Sequence, residues 1–308
     1  MSIPEAPLAE LADLRTDQRL GVIRPAAGPE KSAASLAQTI LEPPRGWQLI
    51  NVGELWKFRE LLGFLIWRDI KVRYKQTVLG AAWAILQPAM MMVVFTIFFS
   101  RLAQLPAGDV PYPLFVYAGL LPWTFFSTAI ANGANSVVSS ERLITKIYFP
   151  RLSIPFASVG AAVVDFAIAF GLLLVMMVWY GVPPTLGLLA VPLVCVCLML
   201  AAAGVGTMLS ALNVAYRDFR HVVPFMIQVW MFSTPTIYMD PTANGTGRLD
   251  YLLAANPLSP LISTFRAAVL GEPIAWAPFA LAAAGSALMF VVGCLYFRRV
   301  EDNFSDII

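Results

Sequence analysis

The sequence carries few of the side chains that catalysis would need. Its 308 residues include one histidine, His221, which stands in a short polar stretch, residues 213–221, between two apolar runs. Acid–base and nucleophilic chemistry require several polar groups that converge on one point, and a single histidine in a loop is more often a surface residue. The pattern G-x-x-x-x-G-K-[S/T], whose backbone holds the phosphates of ATP, does not occur. The sequence therefore indicates neither an enzyme active site nor an ATP site of that kind.

The cysteines do not indicate a metal site or a disulfide framework. Cys195, Cys197 and Cys294 all lie inside apolar runs. Two residues that are two positions apart on a helix point about 200° apart, so Cys195 and Cys197 cannot share a metal ion. We predict that the three thiols are packing residues.

A charged segment between two long apolar runs, SSERLITKIYFPRLSIP at 139–155, is the feature that a partner could recognise. Residues four apart share a helix face, and this spacing separates an apolar face from a charged one. The apolar face comprises Leu143, Ile144, Ile147 and Tyr148, and the charged face comprises Glu141, Arg142 and Lys146. Pro150 and Pro155 then break the helix and restart it. The segment is either a docking helix or an interfacial helix that lies on the lipid headgroups.

The composition assigns the chain to the membrane proteins. Apolar residues make up 58% of it and charged residues 13%, where a soluble domain has roughly 25% charged residues. The net charge of +2 does not indicate a nucleic-acid partner. We predict an all-α integral membrane domain, residues 51–308, that follows a mostly disordered cytosolic tail, residues 1–50.

Six apolar stretches near the roughly 20 residues that a bilayer requires predict six transmembrane helices. They lie at about 80–101, 114–137, 155–180, 186–212, 222–238 and 275–297. Before them, residues 54–75 combine a charged strip with an apolar side and with tryptophans suited to the headgroup level, which predicts an amphipathic interfacial helix. Residues 240–273 are interrupted by proline and asparagine and predict a re-entrant helical hairpin, because irregular backbone at membrane depth must be covered by protein.

Lysine and arginine predict the orientation. With six spans both termini lie on one side, and the segments next to the spans on that side carry thirteen Lys and Arg residues against three on the other. By the positive-inside rule, both termini and the segment 139–155 are then cytoplasmic.

Asp165 is the ionisable residue in the middle of the third predicted span. Such a residue either lines a path for ions or substrate, or hydrogen-bonds to neighbouring helices in a structural role, and the sequence leaves both open. One acid is little evidence for a proton relay, so we expect the energy for any transport to come from elsewhere.

Four segments make the chain similar to a known family. They are IWRDIKVRYKQTVLGAAWAILQP (66–88), LITKIYFPRLSIP (143–155), LNVAYRDFRHVVPFMIQVWMFSTPTIY (212–238) and NPLSPLISTFRAAVLG (256–271). In this order they resemble the permease subunits of ABC-2 type exporters, specifically those that move lipid-linked polysaccharides such as O-antigen, capsule and teichoic acid. The resemblance covers about residues 50–308.

The resemblance implies a location and partners. In that family two permeases pair in the bacterial inner membrane and bind two copies of a separate ATPase subunit, so ATP and Mg²⁺ are expected on the partner and no cofactor on this chain. Residues 54–75 then look like the interface helix of the family, 139–152 like its cytoplasmic coupling helix, and 240–273 like its periplasmic re-entrant hairpin. The residues expected to couple to the ATPase are Glu141, Arg142, Ile147, Tyr148, Phe149 and Arg151.

A polysaccharide path needs hydrogen-bonding groups and flat apolar faces, and aromatic residues are abundant in the half predicted to be periplasmic. An aromatic belt at the headgroups accounts for many of them. The candidates for lining the conduit are Trp123, Phe126, Trp230, Phe232 and Tyr238. Two other functions remain open: a related permease for a lipid or hydrophobic drug, and an intramembrane glycosyl- or acyltransferase, for which no catalytic constellation is visible.

Overall fold

The computed structural model describes residues 52–75, 77–102, 110–146, 149–234, 256–301 and 304. Every regular element within these ranges is helical, as predicted for an all-α protein. The predicted tail, residues 1–50, lies outside the described residues.

Ten α-helices are described in these ranges. They are α1 Val52–Lys57, α2 Arg59–Tyr74, α3 Ala82–Phe95, α4 Tyr112–Ser139, α5 Glu141–Ile144, α6 Ser153–Trp179, α7 Val191–Ala215, α8 Phe219–Phe232, α9 Leu258–Leu270 and α10 Trp276–Glu301. A π-helix, Thr96–Leu102, continues α3, and a 3₁₀ helix, Leu186–Ala190, leads into α7.

Five stretches are long and apolar enough to cross a bilayer, so the chain is a multi-pass membrane protein. They are Ala82–Phe99, Tyr112–Ser139, Ser153–Trp179, Leu186–Ala215 and Trp276–Glu301, and each matches a predicted span to within a few residues. The remaining predicted span, 222–238, coincides with α8, which has 14 residues, and its last four positions lie outside the described residues. A sixth span therefore stays a prediction.

α7 lies at the centre of the bundle, where α4 and α10 pack against it. Glycines allow this close approach. A Cβ added at Gly133 of α4 would meet the backbone of Gly206 at 3.2 Å, and one at Gly293 of α10 would collide with the backbone of Gly204. Small residues at helix contacts are common in membranes, because van der Waals packing between backbones replaces the hydrophobic effect there.

α9 is the described limb of the predicted re-entrant hairpin. Eleven of its 13 residues are buried, and it ends at Gly271, whose φ of 78° is a left-handed value that favours glycine. The guanidinium carbon of Arg266 lies 4.0 Å from the centre of the Phe115 ring. A short buried helix of this kind agrees with the requirement that irregular backbone be covered by protein. Residues 240–255 lie outside the described residues.

α2 lies lengthwise against the first half of α6. Leu65 is buried near the start of α6, the side chain of Ile66 fills the space beside Gly160, and Arg73 reaches Asp165. α4 and α6, with 28 and 27 residues, are about 42 and 40 Å long at 1.5 Å per residue, which exceeds a hydrocarbon core of about 30 Å. The two helices therefore extend past the core, and α2 packs along the end of α6 that α5 precedes.

Candidate functional site

The segment predicted to dock a partner is shorter as a helix than expected. α5 contains four residues, Glu141–Ile144, and Thr145 and Lys146 continue it as a turn. The predicted anchors Ile147 and Tyr148 lie outside the described residues. The separation of faces holds in what is described: the side chains of Leu143 and Ile144 are partly buried, whereas those of the charged face are exposed. These exposed residues are Glu141, Arg142 and Lys146.

Beneath α5, an apolar cluster joins the segment 149–157 to α2, α4, α7 and α10, and we call it the Phe149 cluster. Its buried members are Leu65, Val137, Phe149, Leu152, Ile154, Ala157, Ala211, Val214, Cys294, Phe297 and Phe304. Leu143 and Ile144 pack against it from above. The cluster holds the segment that follows α5 against α2 and against the last turns of α10.

The position of Phe149 differs from what an anchor for a partner requires. Its side chain is 5% exposed, and it packs within the chain instead of pointing outward. The reason is the bend at Phe149 and Pro150, where the chain turns into α6 and directs the ring beneath α5. In this conformation, Phe149 can affect a partner only by holding α5 in place.

Arg151, also predicted to couple to a partner, bonds to the end of α10. Its Nη1 donates to the carbonyl oxygen of Glu301 at 2.5 Å. The last carbonyls of a helix lack partners inside the helix and carry partial negative charge, so a cation there is stabilising. Arg151 thus adds a polar link to the apolar contacts between the α5 segment and α10.

Asp165 is paired with α2. Its carboxylate accepts from the guanidinium of Arg73 and from the hydroxyl of Tyr74. Burial raises the pKa of the Tyr74 phenol, and the charge of Arg73 lowers it by less, so the phenol stays protonated and remains a donor at neutral pH. Of the two roles that the sequence leaves open for Asp165, this contact agrees with bonding to a neighbouring helix. The bond is made to a cation, Arg73.

Sequence reasoning did not identify Arg73 as this partner. Arg73 lies in the predicted amphipathic helix, residues 54–75, where Asp69 and Arg73 interrupt the apolar side. Burying either charge alone is costly, both for the cation of Arg73 on an apolar helix side and for the carboxylate of Asp165 in a predicted span. Their opposite charges are the sequence signal from which the pair could have been predicted. Asp69 is paired within α2, where Arg68 Nη2 lies 2.8 Å from its Oδ1.

Two adjoining cavities lie beside the Arg73–Asp165 pair. The larger, of about 330 Å³, is bounded by the end of α2, the start of α3, α4 and α6, and the smaller, of about 230 Å³, by α2, α4 and α6. Arg73 and Asn132 line both. Together they form one polar groove along α4.

The aromatic conduit candidates fall into different environments. Trp123 and Phe126 are 3% and 1% exposed, so they form part of the core of the chain and present little surface. Trp230 packs edge-to-face on Phe126, with ring centres 5.2 Å apart, and its Nε1 donates to Oδ1 of Asn256 at 3.0 Å. Phe232 is exposed, and Tyr238 lies outside the described residues. Their role in a conduit stays a prediction.

The Arg73–Asp165 pair can be tested by a double-mutant cycle. Arg73→Gln and Asp165→Asn each leave an unpaired charge between helices, whereas the double variant leaves none. We expect each single variant to lower the unfolding temperature in detergent and the double variant to regain part of the loss, with a coupling of about 0.5–3 kcal/mol. The control is the pair Arg68→Gln and Asp69→Asn, whose partners are neighbours on one helix. If the double variant unfolds at a temperature no higher than that of the less stable single variant, the pair does not stabilise the contact between α2 and α6.

The comparisons with known proteins agree with this arrangement. Residues 60–270 match the model of the ABC-2 type transporter family. The chain is 31% identical over 254 residues to the O-antigen export system permease protein RfbA of Myxococcus xanthus, which covers 82% of this chain and 96% of that protein. It is 25% identical to the RfbA of Klebsiella pneumoniae over 84% of this chain and 97% of that protein. It is 22% identical to the polysialic acid transport protein KpsM of Escherichia coli over 67% of this chain and 80% of that protein. The chain belongs to the ABC-2 type transporter family.

Proposed function

We propose that this protein is the membrane permease subunit of an ATP-driven exporter that moves a lipid-linked polysaccharide across the bacterial inner membrane. The observation that carries the proposal is the match to O-antigen export permeases over more than four-fifths of the chain. The chain also matches a polysialic acid transport protein, whose name specifies a different polysaccharide, and this match supports the same substrate class. The substrate is therefore an O-antigen or a capsule-like polysaccharide.

The chain works with partners in this proposal. Two copies pair, and two copies of a separate ATPase subunit bind the pair and hold ATP and Mg²⁺. The excess of Lys and Arg next to the spans supports a cytoplasmic location for both termini and for α5, which is the side on which an ATPase works. The predicted hairpin, of which α9 is the described part, then faces the periplasm.

The charged face of α5 is the best candidate for the ATPase docking surface. Glu141, Arg142 and Lys146 are exposed, whereas the apolar side of the segment is held by the Phe149 cluster. A movement of the ATPase would displace α5, and the cluster would carry that displacement to α2 and α10 as a rigid body, because close-packed contacts transmit strain. Arg151 would add to this connection through Glu301.

Deletion of the gene that encodes this protein tests the function in the host. We expect surface polysaccharide to be lost and lipid-linked polysaccharide to build up inside the cell, because the glycan is made but cannot cross. Both are measured by glycan staining of whole cells and of extracted lipid, and a plasmid copy of the gene should restore the wild-type result. Unchanged surface glycan, with altered export of a lipid or hydrophobic compound instead, would overturn the substrate assignment.

The docking surface is tested by reversing its charges. In Glu141→Lys/Arg142→Glu the chain should insert and accumulate as the wild type does, because both side chains are exposed, whereas binding of the ATPase and export should fall several-fold. Co-purification of the ATPase and surface glycan are measured at equal membrane levels. Phe149→Ala is the contrasting variant: removal of a buried ring costs about 3–5 kcal/mol, so here the level or unfolding temperature of the chain should fall. Normal ATPase binding and export by the charge-reversed protein would exclude this surface.

A further inference from the structure

We propose that the polar groove along α4 binds an uncharged, hydroxyl-rich group, namely a sugar ring of the exported glycan. The groove consists of the two cavities that share Arg73 and Asn132. The inference rests on the proposed function and names a binding site for its substrate that is separate from the aromatic conduit candidates.

One face of α4 supplies the wall of the groove. At 100° per residue its polar side chains fall within an arc of about 120°, and they run about 22 Å along the helix. They are Thr124, Thr128, Asn132, Asn135, Ser136 and Ser139. Hydrocarbon offers such a stripe no hydrogen bonds, and several of its members donate to carbonyls of α4 itself. These members are Thr124, Asn135, Ser136 and Ser139.

The charges of the groove are balanced. Its lining contains two arginines and two aspartates, and each arginine is paired with one aspartate: Arg68 with Asp69, and Arg73 with Asp165. With these pairs the lining presents no net positive charge to attract a phosphate, and none of the lysines that the structure describes lines the groove. The lining therefore favours a neutral ligand over a phospholipid headgroup.

The remaining polar groups suit hydroxyls. The amides of Gln87 and Asn132 make no hydrogen bond to any residue that the structure describes, and an amide, like a sugar hydroxyl, needs both a donor and an acceptor opposite it. The hydroxyls of Thr124 and Ser136 donate to carbonyls of their own helix, which leaves their oxygens as acceptors toward the groove.

An aromatic ring completes the site. Trp83, at the start of α3, lines the larger cavity and is 49% exposed. Its flat face can pack on the C–H face of a sugar ring while the amides bond the hydroxyls, and a cavity of about 330 Å³ lies at the small end of the range for ligand pockets, roughly 300–1,000 Å³.

Photo-crosslinking in the living host tests the site. Trp83 is replaced by p-benzoylphenylalanine in the full-length chain, the cells are irradiated, and adducts are detected by a shift on an immunoblot and by periodate labelling of carbohydrate. The control has the same substitution at Val178, which is 81% exposed and lies about 140° around α6 from Asp165. We expect carbohydrate adducts at position 83 to exceed those at position 178 several-fold.

Substitution of Asn132 tests the contribution of its amide. Asn132→Leu, which keeps the volume and removes the amide, should lower the adducts at position 83, and Asn132→Gln should keep them.

Two results would overturn the proposal. They are adducts at position 83 that contain phospholipid without carbohydrate, and the absence of any carbohydrate adduct at that position. Thr128→p-benzoylphenylalanine is used with the same readings if the Trp83 variant does not accumulate. Deletion in the same host reports on the function separately: surface glycan that survives deletion overturns both proposals, whereas carbohydrate-free adducts in a host whose glycan depends on the chain overturn the groove alone.

Discussion

Burial of Phe149 and its neighbours is the interaction on which the arrangement at the α5 end depends. α5 has one helical turn and would have no fixed position by itself, since so short a helix is unstable in isolation. The Phe149 cluster supplies that position by packing the segment after α5 between Leu65 of α2 and Phe297 of α10. The charged face of α5 is then presented outward on a firm base. The apolar side of α5 packs on the chain and its charged side is exposed. This arrangement suits an element that transmits the movement of a partner to the rest of the chain.

Charge pairing fixes the second connection at the same end. Arg73 and Tyr74 of α2 bond to Asp165 of α6, so an amphipathic helix that could have lain loosely on the headgroups is joined to a spanning helix. An ionised residue in a span is costly unless it is paired, and Asp165 is paired with Arg73 at the edge of the polar groove. The same pairing leaves the groove electrically balanced, which suits a neutral ligand better than an anion.

The sequence predicted the spanning helices well because their signal is strong and local. A run of about 20 apolar residues needs no tertiary information to be recognised, and five predicted spans match described helices closely. The direction of Phe149 could not be predicted in the same way. The resemblance to a coupling helix assigned it to a docking element, but the chain bends at Phe149 and Pro150, and the ring is buried within the chain. Trp123 and Phe126 show the same limit, since an aromatic residue in the core and one beside a path have the same local sequence pattern. The Arg73–Asp165 pair joins residues 92 positions apart, and only the fold brings them together.

We infer that α5 and α2 move as one body in the proposed exporter when the ATPase binds nucleotide. Double electron–electron resonance tests it directly, with nitroxide labels at Lys146 beside α5 and at Phe64 on α2, both of which are exposed. The labelled chain is diluted with unlabelled chain, assembled with its ATPase in a bilayer, and measured without nucleotide and with a non-hydrolysable ATP analogue. If the two helices move together, the distribution of distances is the same in both states. A distribution that shifts on nucleotide binding would mean that α5 moves independently of α2, and would contradict this inference.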